Sequence, residues 1–185
     1  MMNKVKPLGK KGIILIVASV FILDQISKYV VKHTLQLSES VSILGTFFQL
    51  SYVQNSGMAF GIQIENKILF TLLSIVALTL VIYYLIKSKK EHPFLQIALA
   101  LILGGAIGNI LDRLIYGKVV DFLDFEFFDI SLPTFKFLVI NFQGYHMTRW
   151  PVFNIADAAV SCGMILIALS VIFIKESSKS EVPTT

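Results

Sequence analysis

Asp121 and Asp157 are the residues whose type and setting could do chemistry here, because each lies close to the end of a long apolar run. Two carboxyls brought together cannot both ionise, so they hold one proton between them, leaving one as base for a water and the other as acid. That is aspartic protease chemistry. Residues 104–122, GGAIGNILDRLIYGKVVDF, lead into Asp121. Read as the end of a helix, they set Gly105, Gly108, Asn109, Asp112 and Tyr116 on one stripe through three- and four-residue steps. No His/Cys set with zinc spacing and no Gly-x-Ser-x-Gly accompanies them. His33, His92 and His146 fall in connections, so neither metal nor cofactor is expected.

The elements that must position these residues are membrane helices. The 185 residues are 55% hydrophobic and only 15% charged, too apolar for a water-soluble domain of this size. Apolar runs near 12–31, 68–86, 94–115 and 153–174 each approach the roughly 20 residues that cross a bilayer core as a helix. The reading is one membrane domain over residues 1–185, with outer segments 32–67 and 116–152. The net charge of +4 does not point to nucleic acid, because the basic residues gather at run ends. Lys4, Lys6, Lys10 and Lys11 precede the first run, Lys87, Lys89 and Lys90 join the second to the third, and Lys175 and Lys179 follow the fourth. These places read as cytoplasmic, both termini included. The first run continues through Asp24 to Val31 with no small-residue cleavage site, so it reads as a retained crossing rather than a removable signal peptide.

Residues 41–53, VSILGTFFQLSYV, are β-branched and aromatic and read as strand. Residues 122–150 are aromatic and acidic and are broken by Pro133; 126–131 and 134–140 read as two strands about that proline, suited to the headgroup layer. The polar ends, 1–11 and 175–185, read as mobile.

Each polar group has a structural alternative. Asp24 and Lys28, at i and i+4, could be a self-neutralised pair with Lys28 reaching outward. Asn109, Asp112 and Arg113 serve equally as a structural clamp or as the wall of a site. Asp157, in the first turn of the fourth helix, could simply complement the helix dipole, with Asn154 on the same face three residues earlier; Asp121 could be a solvated loop acid. A small proton- or cation-conducting transporter would also explain buried acids, but not their gathering at the outer ends of the helices.

Five blocks, Asp24-Gln25-x-Ser27-Lys28, Asn55-x-Gly57-x-Ala59-Phe60, Gly104-Gly105-Ala106-x-Gly108-Asn109-x-x-Asp112-Arg113, Val119-Val120-Asp121-Phe122 and Phe153-Asn154-x-Ala156-Asp157, together resemble the lipoprotein signal peptidase, or signal peptidase II, family. The resemblance implies an all-α membrane protein: a four-transmembrane-helix bundle with a small extracytoplasmic β-cradle and, in this chain, an aromatic interfacial insertion. It implies a membrane aspartic endopeptidase of the bacterial cytoplasmic membrane. Such an enzyme removes signal peptides from diacylglyceryl-modified prolipoproteins by cutting before the lipidated cysteine, with membrane lipids around it and no obligate protein partner. Asp121 and Asp157 match the catalytic pair. Asp24, Lys28, Asn55, Gly57, Gly108, Asn109, Asp112, Arg113, Asn154 and Ala156 match residues that support the pair or hold substrate. The chain departs from the family in setting Asp121 and Asp157 36 positions apart, a separation lengthened by the insertion at 122–150.

Overall fold

The computed structural model describes residues 6–56, 67–88, 92–132, 135–137, 140–142 and 145–179. Four helices, α1 (Lys10–Thr34), α2 (Lys67–Lys87), α3 (Pro93–Tyr116) and α4 (Ile155–Lys179), carry a three-stranded antiparallel sheet of β1 (Ser40–Leu44), β2 (Phe48–Asn55) and β3 (Val119–Phe125). The helices match the apolar runs with longer ends. α1 takes His33 into its last turn rather than leaving it in a connection, and α4 takes in the polar stretch up to Lys179 that reads as mobile in sequence. At its other end α4 starts at Ile155 rather than 153, since Phe153 pairs with β3 instead. Among the described residues, α1 and α3 are long and apolar enough to cross a membrane; the apolar parts of α2 and α4, Leu72–Lys87 and Ile155–Ser170, are shorter. The outward sides carry large apolar groups, such as Leu15 and Leu23 on α1, Val76 on α2 and Ile165 on α4.

α3 is the central helix, packed against α4, α1 and α2. Its stripe of small residues makes that possible. A Cβ on Gly104 would meet Val20 of α1, one on Gly105 would meet the carbonyl of Ala156, and one on Gly108 would come within 2.5 Å of Asp24 Oδ2. α3 opens with Pro93 after a His92 cap and closes on Gly117, whose left-handed backbone (φ 68°) lets its N–H bond the Arg113 carbonyl at 3.0 Å. Two residues later the chain is already in β3, which is how Asp121 stays close to the helix that carries Asn109 and Asp112.

The single strand expected over 41–53 is two, β1 and β2, because Gly45 (φ 57°) turns the chain between them. β2 pairs β3 with Asn55 opposite Val119 and Val53 opposite Asp121; a bulge between Leu50 and Val53 shifts the register. On its other side β3 is bridged to the chain entering α4, Leu123 exchanging backbone bonds with Phe153 at 2.7 and 3.1 Å. Val31, Tyr52, Val120 and Phe122 form a buried cluster, backed by Ile155, that joins the end of α1, the sheet and the start of α4.

The insertion differs from the expected hairpin about Pro133, a residue outside the described ones. Four three-residue strands, β4 (Ile130–Leu132), β5 (Phe135–Phe137), β6 (Ile140–Phe142) and β7 (Tyr145–Met147), form two pairs, β4 with β7 and β5 with β6. The outgoing arm therefore closes on residues beyond 140, whose short segments lack the alternation that marks a strand in sequence.

Adding a methyl at position 108 tests the packing. Gly108→Ala should lower stability by about 1–3 kcal/mol, the usual cost of forcing extra volume into a filled contact. Gly9→Ala, where a Cβ would meet nothing within 4 Å, should cost only the weaker helix-capping preference of alanine, about 1 kcal/mol or less in thermal unfolding in detergent.

Candidate functional site

The site begins with a helix cap. Asn154 precedes the first residue of α4 and Asp157 is third in it, and the two bond reciprocally: Asp157 N–H donates to Asn154 Oδ1 at 2.9 Å, and Asn154 N–H donates to Asp157 Oδ2 at 3.2 Å. Asparagine followed by an acid at this spacing satisfies two orphan donors of a helix start. The remaining half of the Asn154 amide points the other way. Its Nδ2 donates to Asp121 Oδ1 at 2.7 Å, with Val120 O and Asn109 Oδ1 at 3.3 and 3.2 Å. One buried amide therefore fixes the helix turn that carries Asp157 and also holds Asp121.

Each carboxyl has a further donor among the described residues. Asn55 Nδ2 reaches Asp121 Oδ2 at 2.9 Å, and Asn109 Nδ2 reaches Asp157 Oδ1 at 2.8 Å. The alternatives raised by sequence thus part: Asp157 does sit in the first turn of α4, but its oxygens are committed to this cluster, and Asp121, 2% exposed, is no solvated loop acid.

Behind the pair lies a second layer. Lys28 does not reach outward as the i, i+4 reading expects; at 3% exposure its Nζ lies 2.7 Å from Asp24 Oδ2, 2.9 Å from Asp112 Oδ2 and 2.9 Å from Asn109 Oδ1. Asp24 Oδ2 and Asn109 Oδ1 accept hydrogen bonds from the ammonium, Asp112 Oδ2 faces it as an ion pair without one, and the two buried carboxylates hold the charge inside. The other oxygen of Asp24 accepts from the backbone N–H of Ala156 at 3.0 Å, so α1 ties down the first turn of α4. Arg113 Nη1 donates to the Asn109 carbonyl at 3.2 Å. Gly108 leaves room for the Asp24 carboxylate, and Ala156 is fully buried beside it.

Of the residues singled out in sequence, Asp24, Lys28, Asn55, Gly108, Asn109, Asp112, Arg113, Asp121, Asn154, Ala156 and Asp157 come together; Gly57 lies outside the described residues. Sequence reasoning gave no role to Gln25, whose Nε2 links Asp24 Oδ2 and Asp112 Oδ1 at 3.1 and 3.2 Å. Its place beside Asp24 in an apolar helix was the available signal. A second omission is Arg149. Its Nε pairs with Asp124 Oδ1 at 2.7 Å, its Nη1 with Glu126 Oε2 and Thr46 O at 2.8 Å, and Ser51 Oγ donates to the other Asp124 oxygen at 2.6 Å. The base of the insertion is thereby clamped to the sheet.

Burial, and then the nearby charge of Asp157, raise the Asp121 carboxyl to about 7, although the Asn55 and Asn154 amides and the Lys28 charge pull the other way. The folded chain can therefore keep a proton at Asp121 near neutrality.

A sequence model described as Signal peptidase (SPase) II matches residues 16–173. The chain is 35% identical to a "Lipoprotein signal peptidase" of Syntrophus aciditrophicus, over 92% of this chain and 99% of that protein. It is 39% identical to one of Alteromonas mediterranea, over 89% and 81%. Two solved structures, each titled a bacterial membrane enzyme, superpose with TM-scores of 0.76 and 0.71 at 28% and 29% identity, the first covering 99% of this chain and 100% of its own.

The shift at Asp121 fixes the sign of one pH effect. Between the ordinary carboxyl value of 3.8 and about 7 the folded state binds a proton that the unfolded state has released. Its contribution to stability is full below that window and is lost as pH rises through it. In thermal unfolding scans the native protein should lose stability relative to Asp121→Asn between pH 4 and pH 7.5, and parallel curves for the two would contradict the shift.

Proposed function

Because the chain belongs to the signal peptidase II family, which removes signal peptides from prolipoproteins, we propose that Asp121 and Asp157 are the pair that performs the hydrolysis. The chain is a protease of a bacterial membrane. The observation that carries the finer reading is the single Asn154 amide that bonds Asp121 while capping the turn of Asp157. Two carboxyls from separate elements, Asp121 buried and Asp157 half-buried, are thereby held in one hydrogen-bonded cluster under a few fixed donors.

In this reading Asp121 starts with the proton, since burial and its neighbour hold it to about 7. Asp157 is then the member left to act as base, its oxygens receiving the Asn109 amide and the Asn154 N–H at the positive end of α4. Asp157 takes a proton from water as its oxygen attacks the scissile carbonyl, while Asp121 donates to the carbonyl oxygen. As the tetrahedral intermediate collapses, Asp157 returns its proton to the departing amine and Asp121 regains its own.

The proposed setting follows from the charges. All four helices cross the membrane, the basic ends and both termini lie on the cytoplasmic side, and the sheet with the two aspartates lies at the outer surface. A substrate whose cysteine carries diacylglycerol keeps its cleavage point at headgroup depth while its signal helix stays in the bilayer. The insertion, held by Arg149 and by the rings of Phe47, Phe125, Phe127 and Trp150, extends the cradle over that site.

Cleavage of a diacylglyceryl prolipoprotein peptide by the purified protein tests the pair. Asp121→Asn and Asp157→Asn should each lower the rate by about a thousandfold or more, in line with loss of a positioned acid or base. Either variant cutting at the native rate while folded would remove that aspartate from the chemistry.

A further inference from the structure

Basic residues at the inner ends of the helices are accounted for by topology, but Lys32 and Lys118 lie at the other end, where that rule gives them no role. Lys32 is in the last turn of α1, and Lys118 follows the Gly117 cap of α3. The negative ends of α1 and α3 favour cations at Lys32 and, just past the Gly117 cap, at Lys118, but neither dipole explains why the two face one pocket.

The two lysines line one pocket of about 60 Å³ together with Gln54, Tyr116 and Val120. Lys32 Nζ lies over the Tyr116 ring, 3.8 Å from its centroid, which pre-positions the ammonium at the pocket wall. Among the described residues no carboxylate lines it. The lining therefore offers two ammonium groups, a phenol and an amide around room for one tetrahedral oxyanion.

The pocket is distinct from the aspartate site yet shares its strands. Gln54 pairs with Val120 one step from the Val53–Asp121 pair, and alternation along β3 turns Val120 to the face opposite Asp121. At the outer ends of two membrane helices this is headgroup depth, where phosphate is the abundant anion.

We propose that Lys32 and Lys118 form a phosphate-binding site, with the phosphodiester of an anionic phospholipid as the ligand that its depth favours. The proposal rests on the outer placement of these helix ends and not on the aspartate pair, and binding can be read without cleavage.

The full-length protein is placed in nanodiscs of phosphatidylcholine with a minor fraction of phosphatidylglycerol, and retained lipid is counted by native mass spectrometry. The native protein should retain phosphatidylglycerol preferentially. The double variant Lys32→Gln/Lys118→Gln should bind it roughly thirtyfold more weakly, each lysine being worth about fivefold against an anionic headgroup. The charge-keeping Lys32→Arg/Lys118→Arg should retain it. Displacement of the lipid by millimolar inorganic phosphate would support the site and assign it to the free ion as well; resistance to displacement would support the lipid alone. Equal retention by the native protein and the double glutamine variant would overturn the proposal.

Discussion

The structure depends on one ammonium group buried where a membrane helix should carry none. Lys28 is held between Asp24 of its own helix, to which it donates, and the facing charge of Asp112 of α3, with the Asn109 oxygen accepting a second hydrogen bond. An arrangement of this kind gives little net stability over apolar packing, but removing one partner strands a buried charge and costs about 3–5 kcal/mol. What it supplies is position. Asp24 spends its second oxygen on the Ala156 N–H, so the same charge cluster that joins α1 to α3 also fixes where α4 begins.

From that fixed start the rest follows in short steps. Asn154 and Asp157 cap one another, Asn154 turns its amide nitrogen to Asp121, and Asn109 connects both layers by accepting from Lys28 and donating to Asp157. Gly117 and the β2–β3 ladder bring Asp121 in from the other side. Polar groups that would be prohibitive singly in an apolar bundle partner one another here, Asp112 Oδ2 through the Lys28 charge rather than a hydrogen bond. The close contacts of α3 at Gly105 and Gly108 are what let the helices approach near enough for that to happen.

Much of this was legible in the sequence, because a carboxylate or ammonium in an apolar run needs a partner, and Asp24, Lys28, Asn109, Asp112 and Asp157 announced themselves in that way. The helix spans were legible from length and hydropathy. Less legible was the direction of Lys28, since i, i+4 spacing to Asp24 is satisfied equally by an outward pair, and only the approach of Asp112 from another helix turns it inward. The strand pairing of the insertion was hidden for a similar reason: three-residue strands carry too little pattern, and their partners are chosen by where the chain returns. Arg149 was hidden too, because its partners Asp124, Glu126 and Thr46 come from two other parts of the chain.

The central claim is that Asp121 and Asp157 share one proton at rest and that the proton sits on Asp121. Infrared spectra of the protein in lipid test it directly. A protonated-carboxyl stretch is expected at pH 6 that disappears as pH rises past about 7, in step with cleavage activity, and that is missing from Asp121→Asn but not from Asn55→Gln. A carboxyl band that survives unchanged in Asp121→Asn, or activity that ignores its loss, would contradict it.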